Sequence, residues 1–155
     1  MASFTFNIAK GRVAQLHRNV NDNDPAASEL VVIALSVSGD QDAAMKDADT
    51  VAALLALANV AEVTNTGYSR VDLTDADVDA PTVDDSGDAQ TCAVQEIDMG
   101  AISAGDAWTD IVIAYDATGS GADSALIPMT LSDFAKTPDG SNIIIQAGNY
   151  FSAGE

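Results

Sequence analysis

Two stretches constrain the fold more than any others: Glu29-Leu-Val-Val-Ile-Ala-Leu-Ser-Val37 and Asp110-Ile-Val-Ile-Ala-Tyr-Asp116. Both are apolar at odd and even positions. Successive side chains of a strand point to opposite faces, so a strand apolar on both faces must be covered on both. Neither run approaches the roughly 18 apolar residues of a membrane helix. They are expected to be central strands of a sheet buried from two sides.

A helix is expected to supply part of that cover. In Asp47-Ala-Asp-Thr-Val-Ala-Ala-Leu-Leu-Ala-Leu-Ala-Asn59, Val51, Leu54, Leu55 and Ala58 fall at i, i+3, i+4 and i+7. Asp47, Asp49 and Thr50 offer oxygens to cap free backbone N–H groups, and acid suits the positive end of the dipole. Asn59 suits a left-handed stop. A helix over about 50–58 is too short to be stable alone, so its apolar face must lie on the sheet.

The rest of the chain alternates strands and turns. Ser3 to Ile8 places Phe4, Phe6 and Ile8 on one face of a half-buried strand, and Lys10-Gly11 breaks it. Arg12 to Arg18 is expected to resume an extended pattern anchored by Val13 and Leu16. Asn21-Asp-Asn-Asp-Pro25 is a turn cluster. Asp40 to Lys46 has room for one helical turn. Tyr68 to Leu73 and Ala89 to Met99 are expected strands flanking a hairpin tip at Val83-Asp-Asp-Ser-Gly-Asp88. Pro128 restricts Ala125 to Leu131 to a sheet edge or a strand start. Thr137-Pro-Asp-Gly140 has the residues of a type I turn, and Asn142 to Ala147 is the last expected strand. No domain boundary or repeat interrupts the pattern. The expected fold is a single mainly β domain over 1–155: an antiparallel sandwich or small barrel of roughly seven to nine strands with one packed helix. The segments 1–10 and 148–155 are left as candidate arms.

Charge bounds the partners. With 24 acidic residues against 6 basic ones, the net charge is −18. Phosphate backbones and anionic lipid surfaces need clustered Lys and Arg, so nucleic acid and membranes are not expected partners. The first residues, MASFTFNIAKGR, lack the basic and apolar regions of a secretory signal. One cysteine, Cys92, permits no internal disulfide, and one histidine, His17, leaves few general bases.

Several polar groupings invite a functional reading. Asp75-x-Asp77-x-Asp79 opens like a calcium loop, but an EF-type loop needs Gly at its sixth position and an acid at its twelfth. This chain has Ala80 and Ser86 there. A surface cation site on Asp75, Asp77 and Asp79, or on Asp84, Asp85 and Asp88, is the weaker form of that expectation. A solvated acidic strand edge explains the same residues. Gly119-Ser-Gly-Ala-Asp123 lacks the Lys-Ser/Thr and helix of a phosphate loop. His17 sits in no recognisable catalytic motif and is expected to be a partly exposed strand residue. Cys92 suits a small buried position, and Trp108 and Tyr115 suit core or interface anchors. No catalytic residue, cofactor or metal is assigned.

Four segments, in this order, carry a family resemblance: Phe4-Thr-Phe-Asn-Ile-Ala-Lys-Gly-Arg-Val13, Met45-Lys-Asp-Ala-Asp-Thr-Val-Ala-Ala-Leu-Leu55, Tyr115-Asp116, and Ile127-Pro-Met-Thr-Leu-Ser-Asp-Phe-Ala-Lys-Thr-Pro-Asp-Gly-Ser141. Together they span most of the chain. They resemble small virion structural proteins of tailed viruses, the head decoration or minor capsid proteins. The resemblance implies no enzyme and no cofactor. It implies a protein made in the host cytoplasm and carried on the capsid exterior. Its partners would be the major capsid protein and copies of itself, as trimers. A tail-tube or head–tail connector subunit is the alternative, and a small carbohydrate-binding domain or enzyme is a third class. Aromatic side chains are the expected interface anchors: Phe4, Phe6, Trp108, Tyr150 and Phe151. Both termini are expected near intersubunit contacts, with the Asp75–Asp88 region facing solvent.

Overall fold

A computed structural model describes residues 3–154; Met1, Ala2 and Glu155 lie outside the described residues. The architecture is a six-stranded antiparallel sheet covered on both faces. Strands β1 (Phe4–Thr5), β2 (Glu29–Val37), β3 (Val60–Glu62), β4 (Val71–Leu73), β8 (Trp108–Asp116) and β9 (Ile127–Lys136) form it. Their order is β1-β9-β8-β2-β3, with β4 also paired to β2. The two doubly apolar runs are its centre: β2 and β8 pair from Glu29 opposite Asp116 to Leu35 opposite Asp110. The expectation of an antiparallel, β-rich sandwich holds.

Each face of this sheet has its own core. On one, Leu30, Val32, Ala34, Ile111, Ile113 and Tyr115 pack against Val94, Ile97, Met99 and Ile143. Those partners come from a second β layer: β5 (Thr82–Asp84), β6 (Ala89–Val94) and β11 (Gly148–Gly154) in the order β11-β6-β5, beside β7 (Ile97–Ala101) paired with β10 (Asn142–Ile145). On the other face, Val31, Ile33, Leu35, Val112 and Ala114 meet Phe6, Met45, Val51 and Leu54. Met45 lies on α2 (Asp42–Lys46); Val51 and Leu54 lie on α3 (Val51–Leu55).

The expected helix exists but is shorter. Thr50 caps it, its Oγ1 accepting from the Ala53 amide at 3.1 Å. It ends at Leu55, and Asn59 takes the left-handed conformation with φ 67° four residues later. Val51, Leu54 and Leu55 keep the expected apolar face, but Ala58 is exposed, and past the helix end Leu57 and Val60 join the core instead.

Two expectations are corrected. Residues 12–18 are not extended: α1 spans Val13–Asn21. Val13, Leu16, His17 and Val20 are its buried side, at i, i+3, i+4 and i+7. The tail is not an arm. β11 pairs with β6 from Gly148 opposite Val94 to Gly154 opposite Ala89. Near the other end, β1 pairs Phe4 with Leu131 and Thr5 with Thr130, and Asn7–Ala9 then turn as a 3-10 helix. Pro128 is the second residue of β9, at the strand start that the sequence allowed. The β8–β9 register slips between Ile113 and Ala114, next to the proline, and a bulge there tolerates the missing N–H.

Candidate functional site

The expected aromatic anchors are distributed between core and surface. Phe6 and Trp108 are 0% and 1% exposed. Trp108 meets Tyr68 edge-on at 5.5 Å, and its Nε1 donates to Asn65 Oδ1 at 3.1 Å. These two residues are spent on the interior and present no surface to a neighbour. Phe4, Tyr150 and Phe151 are half-buried. They line one groove of about 190 Å³ in which residues 3–5 lie beside residues 150–152.

His17 is fully enclosed on α1, not partly exposed on a strand. Its Nε2 lies 2.6 Å from the Asp79 carbonyl oxygen, an acceptor only, so Nε2 carries the proton. Nδ1 of the neutral ring then accepts from the Tyr150 hydroxyl at 2.9 Å. Burial is the main influence on the imidazole and pushes its pKa below the ordinary value, against the Asp79 carbonyl and charge. The pair therefore ties β11 to α1 and to the 79 loop through a neutral histidine.

The aspartates divide into organisers and free surface. Asp116 is fully buried at the end of β8 and accepts from the Thr118 and Gly121 amides at 2.8 and 2.7 Å and from the Thr118 hydroxyl. Burial alone raises its pKa, yet these bonds outweigh burial and hold it below the usual carboxylate range. The glycine-rich segment 119–123 is thus wound around a protein carboxylate. Its Asp123 binds Arg70 at 2.6 Å, and Arg70 also grips Glu62. Asp110 is enclosed on β8, where burial pushes its carboxyl up and Asp133 and Asp42 add to that.

The candidate cation residues do not converge. Asp77 accepts from the Thr74 amide and hydroxyl, both at 2.9 Å, and Asp79 accepts from the Gln95 amide at 2.8 Å. Asp75 is exposed. Among the described residues, no group of three or more His, Cys, Asp or Glu is arranged to hold a metal ion. Cys92 is fully buried, and burial raises its thiol to about 11.

What remains outside is acidic surface and open strand edge. Residues 82–88 are all exposed, and the β5–β6 hairpin holds only three pairs, from Thr82 opposite Thr91 to Asp84 opposite Ala89. Composition pointed to the acid; the open edges follow from strand order, which no local signal encodes. Among the described residues, no helix is long and apolar enough to cross a membrane. No protein-family model, curated protein or solved structure matches the chain.

Proposed function

We propose that this protein is a decoration, or minor capsid, protein that attaches to the outside of a tailed-virus head and stabilises it. Its partners are the major capsid protein and, as trimers, copies of itself. The observation that carries this reading is the division between interior and exterior. The histidine, the cysteine, the tryptophan and most large apolar side chains are taken up inside. The outside is acidic, and strand edges stand open on it. Such a domain is suited to adding contacts across subunit junctions. Binding that favours the assembled shell over its parts stabilises the shell by mass action, without chemistry at a pocket.

The charge sets the conditions of attachment. At −18, neighbouring copies repel. The Debye length is about 10 Å at 0.1 M salt and about 30 Å at 0.01 M, so repulsion between copies spreads as salt is removed. Dilution into low salt should release subunits, and divalent cations should oppose release beyond their ionic strength.

The test is the protein's place and copy number in a particle map. Hundreds of copies over the head surface fit decoration; a small ring at a vertex or along the tail fits the connector or tube alternative. Particles lacking the protein should form and then burst more readily on heating or at low salt. Failure of shells to assemble without it would refute this reading.

A further inference from the structure

Val83 is the most exposed of the large hydrophobic side chains among the described residues, at 68%. It sits mid-way along β5, whose three residues are all exposed. β5 has a single partner, β6, so its other edge is unpaired. A free edge is a template for another strand unless something guards it. The ladder sets Val83 opposite Gln90, and Gln90 opposite Ala153, so these three form a row across three strands. The row floors a groove of about 550 Å³ rimmed by Asp84, Asp85 and Asp88. Asp84 is partly committed, its Oδ1 accepting from the Ser86 amide and hydroxyl and the Gly87 amide. Asp85 and Asp88 make no hydrogen bond or ion pair with the described residues.

We propose that the open edge of β5 receives an extended cationic segment of a partner protein, which joins the sheet as a fourth strand beside Val83. Main-chain hydrogen bonds give such an addition its affinity, and side chains on alternate positions give it specificity. Charge selects the occupant. A second copy pairing edge to edge would bring the same aspartates against each other, and each copy carries −18. A neutral strand leaves the rim carboxylates without partners. Lys and Arg fit both parts, with an aliphatic stem along Val83 and a cationic head at the rim. The sequence alone put this hairpin in solvent and the anchors in the tail; with Tyr150 tied to His17, the hairpin is the freer surface. The identity of the partner as a capsid subunit rests on the proposed attachment role, whereas the chemistry of the edge stands without it.

The test titrates the full-length, isotope-labelled protein with a ten-residue peptide of alternating Lys and Val, using its Glu–Val counterpart as control. NMR shifts and hydrogen exchange are read along Thr82–Asp84. The Lys peptide should give saturable shifts and slowed exchange centred on β5, and the Glu peptide none. Affinity should fall roughly tenfold or more in 0.5 M salt and in the double variant Asp85→Lys, Asp88→Lys. Both positions are exposed, but Asp88 sits at φ 48°, where Lys is less at ease than Asp, so the variant should melt only slightly below the parent, and Asp85→Lys alone serves as the folding control. Shifts scattered over the acidic surface without protection of β5, or equal binding by the variant, would overturn the proposal. Two outcomes separate it from the attachment role. Peptide binding at β5 without binding to heads keeps the edge and removes the role. Undiminished attachment of the double variant to heads keeps the role and removes the edge.

Discussion

Removing the Tyr150 hydroxyl tests whether the C-terminal strand belongs to the domain or to its neighbours. In Tyr150→Phe the ring stays and the 2.9 Å bond to His17 Nδ1 is lost. His17 is 0% exposed, so Nδ1 is left without a donor and without water. A buried acceptor stripped of its partner costs about 1–3 kcal/mol. In a domain of this size each kcal/mol moves the melting temperature by about 2–4 °C, which gives a drop of about 2–12 °C. Tyr150→Ala also removes a half-buried ring from a strand of the second layer and should cost about 2–4 kcal/mol. The assay is thermal or urea unfolding at pH 7.5, with the parent alongside. The same histidine sets a pH dependence. Its folded pKa lies below its unfolded one, so the unfolded chain binds more protons as pH falls below about 6.5. Stability from this group is therefore complete above that pH and is lost on the way down, by at most about 1.4 kcal/mol per pH unit. His17→Gln should flatten the slope between pH 6.5 and 5.5; the raised carboxyls of Asp110 and Glu29 act with the opposite sign and are common to both proteins. Tyr150→Phe and Tyr150→Ala that both melt within a degree of the parent would show that β11 is not docked as described, and would return Tyr150 to the list of free anchors.

Three further outcomes follow from the interior. Cys92 should resist a thiol reagent at pH 8 in the native protein and react fully in denaturant, because burial both shields the thiol and raises it to about 11; fast native labelling would contradict its enclosure. Gly67→Ala should destabilise by more than about 2 kcal/mol in urea unfolding, since φ is +94° and an added Cβ would clash with the Ala101 carbonyl oxygen. Arg70→Met should cost about 1–2 kcal/mol, a figure reduced for partial exposure, and loosen residues 117–124 in hydrogen exchange, because one guanidinium holds both Glu62 and Asp123.

The parts of this fold that were legible in the sequence are those whose signal is local. β2 occupies Glu29–Val37 as expected, because a run apolar on both faces has few other places to go. The Thr50 cap and the turn at residues 21–25 were legible because each needs only its neighbours; Asn59 is left-handed as expected, but the helix has already ended at Leu55. Helix α1 escaped notice although its spacing was helical, because a polar His17 occupies one of the four buried positions and hides the stripe. Its burial is satisfied by a tyrosine 133 residues away and a carbonyl 62 residues away, and neither is a local signal. β11 was missed for the same reason. Gly148, Asn149, Ser152 and Gly154 have little strand preference, and it is pairing with β6 that makes the segment a strand. Of the site, the acidity was visible from composition. The edge strand and the row at Val83 were not, since they depend on which strand ends a sheet.

The pairing of β1 with β9 sets an order of events for a chain leaving the ribosome. Phe4 is made well before its partner Leu131. At about 5–20 residues per second, the first strand waits several seconds to tens of seconds before its neighbour exists. β2 waits a shorter but comparable time for β8, with both faces apolar. During synthesis the most aggregation-prone segments are thus the earliest exposed, and contacts so distant in sequence form slowly even once the chain is complete. Nascent chains on one messenger would meet through these same strands. The dense negative charge, spread through the loops from Asp22 onward, emerges between them and keeps unfinished neighbours apart.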